Sequence, residues 1–149
     1  MSAHYQATFT SEPRNAAMAR RSIASFASVC GFSETDVADI RLAAGEALSN
    51  AVEYGQSARS SAFSVRCSYE DRCLTIEIRD SGEGFDVPPS LEERVPDERG
   101  RGFGIFLMRR LMDRVEFTRQ GTIVRLVRTQ KDPAVPASDR LLRSSSEAG

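Results

Sequence analysis

In the segment Phe63-Ser-Val-Arg-Cys-Ser-Tyr-Glu-Asp-Arg-Cys-Leu-Thr-Ile-Glu-Ile-Arg-Asp80, apolar and polar side chains alternate twice over. Phe63, Val65, Cys67 and Tyr69 form one apolar series, and Leu74, Ile76 and Ile78 form a second. A period of two belongs to strands with one face in the core. A turn at Glu70-Asp71 pairs Tyr69 with Arg72, Cys67 with Leu74, Val65 with Ile76 and Phe63 with Ile78. Nearly all the apolar side chains then share one face. The other face is polar, so this antiparallel hairpin has a wet side and the helices are expected on the opposite side only. The same alternation sends Cys67 and Cys73 to opposite faces, which argues against a disulfide between them. It also carries Asp80 onto the inward series, so a carboxylate points at the helix layer. A buried carboxylate needs hydrogen-bond donors.

Before the hairpin, His4–Phe9 suits a short strand, and Ser11, Glu12 and Pro13 read as a helix start with proline in the first turn. Ala19, Ile23, Phe26 and Cys30 recur at helical spacing, and Gly31 is placed to end that helix. Ser33-Glu-Thr-Asp36 is a capping box for a second helix running to about Tyr54, with Gly55 as its stop. Its apolar face is Val37, Ile40, Ala44, Ala47, Leu48 and Ala51. After the hairpin, residues 86–99 carry Pro88, Pro89, Pro96 and seven charged side chains, the composition of an exposed loop. A third helix is expected from about Gly104 to Asp113 with Leu107, Met108, Leu111 and Met112 inward, then strands at Val115–Thr118 and Thr122–Arg128 flanking Gly121. From Asp132, two prolines and the Ser144-Ser-Ser146 run predict a disordered tail. The organisation is one domain over residues 1–131 and a tail over 132–149. The element order predicts an α+β two-layer sandwich: a mixed, mostly antiparallel sheet with about three helices on one face.

Composition narrows the function. The chain of 149 residues has 21 acidic and 20 basic groups, a net charge of −1, so it presents no bulk field for nucleic acid or anionic membrane. Lys131 is its only lysine, which removes a P-loop and any lysine nucleophile inside the domain. Phosphate would have to be held by backbone amides, arginine or a metal. Cys30, Cys67 and Cys73 form no CxxC pair and His4 is the only histidine, so the spacing contains no structural zinc site. Three widely spaced thiols, with no apolar leader and no run of 18 apolar residues, predict a cytoplasmic protein with reduced cysteines.

Three clusters can carry chemistry. Glu46 and Asn50 lie four apart on the second helix and share a face, with Tyr54 one turn further. That pattern suits a solvated polar face as well as a site. Asp80-Ser-Gly82-Glu-Gly84-Phe85 follows the hairpin, either as a strand-end turn or as a backbone freed for close approach to a ligand. It lacks the alternating ligands of a calcium loop. Gly100-Arg-Gly102-Phe-Gly104 leads into the third helix, where backbone N–H groups can face phosphate or where the chain simply hinges. It is not a dinucleotide fingerprint, since the third glycine comes too early and no βαβ unit surrounds it.

Taken in order, these clusters resemble the boxes of the Bergerat-fold ATPases, the superfamily of gyrase, heat-shock chaperone, histidine kinase and mismatch-repair types. The chain looks most like the small anti-sigma factor serine kinases of bacteria. Gly45-Glu-Ala-Leu-Ser-Asn-Ala-Val-Glu-Tyr-Gly55 resembles their N-box, Arg79-Asp-Ser-Gly-Glu-Gly-Phe85 their first glycine box and Gly100–Asp113 their second. Gly121-Thr-Ile-Val-Arg-Leu126 resembles their last strand, so the likeness spans about residues 5 to 130.

The resemblance implies ATP and Mg2+ as cofactors. By similarity, Asp80 accepts a hydrogen bond from the adenine amino group with Thr122 in support, and Gly82 and Gly84 let the chain pass close to the base. Asn50 holds magnesium, Gly102 and Gly104 offer amides to the phosphates, and Arg101 adds positive charge. Residues 86–99 form the ATP lid. Glu46 is the general base that takes a proton from a serine of the protein substrate, an anti-anti-sigma antagonist. The implied partners also include a sigma factor or another regulator, and a second copy in a homodimer. Direct nucleic-acid or membrane binding is not implied. One departure is Tyr54, where the family often has histidine. The competing reading is an ATP-binding partner switch that sequesters a regulator without phosphoryl transfer. A detached sensor-kinase catalytic domain has less support, because no phospho-accepting histidine helix pair accompanies it.

Overall fold

The computed structural model describes residues 1–55, 61–81, 103–118 and 122–131. Its elements are β1 (Ala3–Thr10), α1 (Pro13–Val29), α2 (Glu34–Gly55), β2 (Ala62–Glu70), β3 (Cys73–Asp80), α3 (Phe103–Leu111), β4 (Arg114–Thr118) and β5 (Ile123–Thr129). The strands form a five-stranded sheet in the order β1-β2-β3-β5-β4. Every neighbouring pair is antiparallel, so the expectation of a partly parallel sheet is corrected: each strand among the described residues reverses its neighbour.

The hairpin keeps the expected faces but shifts its register. Tyr69 pairs with Leu74, Cys67 with Ile76, Val65 with Ile78 and Phe63 with Asp80. The turn is Asp71-Arg72, one residue later than expected, with φ of 50° and 64°. Two consecutive positive φ values are what a two-residue loop needs to match the twist of its strands. The new pairing moves each partner by two positions, and a shift of two preserves the faces. Val65, Cys67, Leu74, Ile76 and Leu126 are therefore fully buried beneath the helices, while Arg66, Arg79 and Arg125 stay exposed on the open face.

The helix boundaries follow from capping. Pro13 opens α1, as its sequence position suggests. At the other end Gly31 adopts φ +92°, its N–H bonds Ser28 O at 3.0 Å, and Phe32 N–H bonds Ala27 O at 3.2 Å. This pair of bonds is a Schellman motif. It brings Phe32 back under α1, where it is buried and packs edge-on against Tyr69 at 6.0 Å. Ser33 then caps α2, its Oγ accepting from Asp36 N–H at 3.1 Å. Along α2, Ile40, Ala44, Ala47, Leu48 and Ala51 are buried as expected, joined by Ala43 and Val52. The many alanines let α2 lie close to both α1 and the sheet. In α3 the buried residues are Ile105 and Met108, with Met112 just beyond, and the expected inward Leu107 is only half-buried.

The two innermost thiols are inert. Burial pushes Cys67 up to about 12, with neighbouring Cys30 adding to the shift, and burial also raises Cys30. Both remain protonated near neutrality, and all three cysteines are free. No helix among the described residues is long and apolar enough to cross a membrane. The expected tail, residues 132–149, lies outside the described residues.

Candidate functional site

Four elements converge at the carboxyl end of β3. The inward series Leu74, Ile76 and Ile78 ends at Asp80, whose backbone N–H donates to Thr122 O at 2.9 Å. That bond extends the β3–β5 ladder by one step and seats Thr122 beside Asp80. Asp80 and Asn50 line one small cleft, with about 10 Å³ of open space, together with Ala47, Ala51, Ile78, Phe117 and Val124. The walls are apolar, and the two polar side chains come from facing layers, helix and sheet. The chemistry of the lining, one carboxylate and one amide among apolar side chains, suits a base bearing an amino group.

Glu46 lies one helical turn before Asn50 on α2, half-buried. It meets α3 rather than the pocket. A Cβ placed on Gly104 would lie 2.7 Å from Glu46 Oε2, with Glu46 Cβ at 3.5 Å and Cδ at 3.6 Å. Glycine at 104 therefore makes the room in which the carboxylate sits, at the N-terminal turn of a helix whose free N–H groups favour anions. The second glycine box thus has a steric role that the sequence reading did not assign, beside the phosphate-binding role expected of it.

Among the expected site residues, the structure sets Asn50 beside Asp80, Asp80 beside Thr122, and Glu46 against Gly104. Gly82, Gly84, Arg101 and Gly102, together with the expected lid at 86–99, lie outside the described residues, as does the Tyr54 side chain. Among the described residues no group of three or more His, Cys, Asp and Glu side chains gathers as a metal site. Asn50 alone is a hard oxygen donor, which suits a magnesium ion held jointly by one side chain, phosphates and water. Of the apolar walls, Ala47 lies on the expected inner face of α2, whereas Phe117 and Val124 were not singled out from the sequence. Phe117 and Val124 carry the signal of strand alternation, facing inward from paired positions on β4 and β5.

Comparison with known proteins identifies the family and the fold. The profile of the histidine kinase-like ATPase domain matches residues 9–128. A serine-protein kinase RsbW of Bacillus licheniformis is 34% identical over 114 residues, covering 70% of this chain and 71% of that protein. The anti-sigma F factor of Clostridium acetobutylicum is 31% identical over 113 residues, covering 72% and 78%. That of Caldanaerobacter subterraneus subsp. tengcongensis is 29% identical over 128 residues, covering 80% and 89%. Among solved structures, the RsbU and RsbW domains of Rv1364c from Mycobacterium tuberculosis superpose with a TM-score of 0.61 at 18% identity over 89% of this chain. The chain spans about a third (34%) of that longer solved chain, and the likeness there is one of fold.

Proposed function

This chain belongs to the histidine kinase-like ATPase domain family, and from that premise we infer that it is an ATP-dependent protein-serine kinase acting as an anti-sigma, partner-switching regulator. The observation that carries the reading is the Glu46 carboxylate, set against the first turn of α3 at Gly104 and one turn from Asn50. A module that only binds nucleotide has no need of a carboxylate there.

Asp80 accepts a hydrogen bond from the adenine amino group, with Thr122 beside it, while Ala47, Ala51, Ile78 and Val124 supply apolar walls. Gly82 and Gly84 give the backbone close approach to the base. Gly102 and Gly104 present amides to the phosphates, and Arg101 offsets their charge. Asn50 would hold a magnesium ion, which would supply charge neutralisation when bound. Glu46 orients the substrate serine and takes its hydroxyl proton as the oxygen bonds to the γ-phosphorus and the bond to the β-phosphate oxygen breaks. Such a base contributes about 10²–10⁴-fold, with positioning and charge stabilisation supplying the remainder.

The substrate is an anti-anti-sigma antagonist protein, and the sequestered partner is a sigma factor or another regulator. The working form is a cytoplasmic homodimer, with residues 1–131 as the ATPase domain. Tyr54 retains an aromatic ring and a hydrogen-bonding tip where histidine is usual, so nucleotide binding persists.

The test is transfer of label from γ-labelled ATP to a serine of the antagonist recovered with this protein from its own cells. Glu46→Ala is expected to lower transfer by about 10²–10⁴-fold while keeping nucleotide affinity. An antagonist that binds in a nucleotide-dependent way but never acquires phosphate would sink the kinase reading in favour of a switch without transfer.

A further inference from the structure

Arg128 is the one inward position on β5 that breaks the apolar series. Val124 and Leu126 face the helices and are buried, and Arg128 continues their face with its side chain only 12% exposed. A guanidinium in that place needs acceptors on several sides, and two helices provide them. Its Nη2 pairs with Asp36 Oδ1 at 2.6 Å and lies 3.5 Å from Asp39 Oδ2, both in the first turns of α2. Its Nη1 donates to the backbone O of Leu111, the last residue of α3. The end carbonyls of a helix have no partner inside the helix, so this bond anchors α3 at its carboxyl end. One planar, rigid fork therefore joins the start of α2, the end of α3 and the sheet.

The other end of α3 holds Gly104 against the Glu46 carboxylate. With seven helical steps from Gly104 to Leu111, the clasp and the carboxylate lie on the order of 10 Å apart along a single short helix. A helix of nine residues is too short to bend much, so the seating of its end sets the seating of its start. We propose that Arg128 is a positioning residue for phosphoryl transfer: it fixes how α3 sits on α2, and thereby where Gly104 confines Glu46. This proposal rests on the kinase reading above.

The prediction separates positioning from simple stabilisation because Asp80 and Thr122 sit on β3 and beside β5, away from α3. Arg128→Lys keeps the charge and can still meet Asp36, but it loses the fork that reaches Leu111 at the same time. It is expected to lower kcat about tenfold or more, leave the ADP Kd within about twofold, and speed amide exchange in α3 without changing β1 and β2. Asp36→Asn should act in the same direction, and the double variant should fall short of the product of the two effects, since both act on one clasp. Should the lysine variant fold poorly, Asp36→Asn carries the same measurements. A kcat unchanged in both variants, or one that falls only in step with ADP affinity and global exchange, overturns the proposal. If wild type transfers no phosphate at all, the kinase reading fails by itself, and the exchange pattern of α3 still decides whether the clasp seats that helix.

Discussion

The two ends of the helix–sheet sandwich are built on opposite plans. At the hairpin-turn end, polar groups are spent on one another. Arg128 ties α2 to α3; Tyr69 Oη donates to Gln130 Oε1 at 2.5 Å; and Gln130 Nε2 donates to Cys30 O at 3.3 Å beside the end of α1. Asp113 accepts from Thr129 N–H at 2.6 Å. At the opposite end, about 20 Å away along β3, Asp80 and Asn50 face an apolar pocket and Glu46 faces the gap left by a glycine. One end closes the fold, and the other gathers the residues proposed to meet nucleotide. The difference teaches where substitution should cost stability and where it should cost chemistry.

The sharpest way to break this contrast is Gly104→Ala. The new methyl would meet the far end of a flexible carboxylate, so Glu46 can give way and the protein should keep its melting temperature within a few degrees. Serine phosphorylation should nonetheless fall about a hundredfold, because a displacement of about 1 Å at a reacting group costs that much. A variant that loses stability and not transfer would show that the glycine serves packing.

Asp80→Asn comes next. It preserves shape but weakens the acceptor for a bound amino group, so nucleotide affinity should drop about tenfold, measured by calorimetry, with little change in urea midpoint. An unchanged affinity would move the base elsewhere.

In the core between the two ends, alkaline pH provides a smaller probe. The Cys67 thiol is raised from 9.0 to about 12, so the unfolded chain loses that proton first as pH rises. Stability is fully present below pH 9 and declines toward pH 12 by up to about 1.4 kcal/mol per pH unit from this group. Urea titrations at pH 8 and 10.5 under reducing conditions should show a shallower loss for Cys67→Ala than for wild type. The smallest effect belongs to Tyr69→Phe, which removes the bond to Gln130. About 1 kcal/mol of stability should go, with nucleotide affinity and transfer both intact.

Much of this was legible in the chain, for identifiable reasons. Alternation in β2 and β3 told inside from outside, because a period of two survives any even shift of register. It did not locate the turn, since neither Glu70-Asp71 nor Asp71-Arg72 contains glycine or asparagine, and only the positive φ of Asp71 and Arg72 separates them. The Glu46–Asn50 pair was readable from helical spacing, and Asp80 from its place in the inward series. The contact between Glu46 and Gly104 was not, because it joins elements distant in the chain and turns on a missing Cβ. Leu107 was expected inside and Ile105 was overlooked, as a nine-residue helix offers too few turns to fix its phase from pattern alone. Arg128 was visible as a charge on an otherwise apolar series, yet its meaning required knowing that two helix ends meet above it.

The two-residue reversal at Asp71-Arg72 has one last consequence, which is a matter of counting. Leu74, Ile76 and Ile78 stand six, four and two positions before Asp80, each an even step. Along a pleated strand, evenness decides whether a side chain meets the helices or the solvent. The address of the carboxylate is thus written at the far end of its strand, as the parity of a count that starts from the turn.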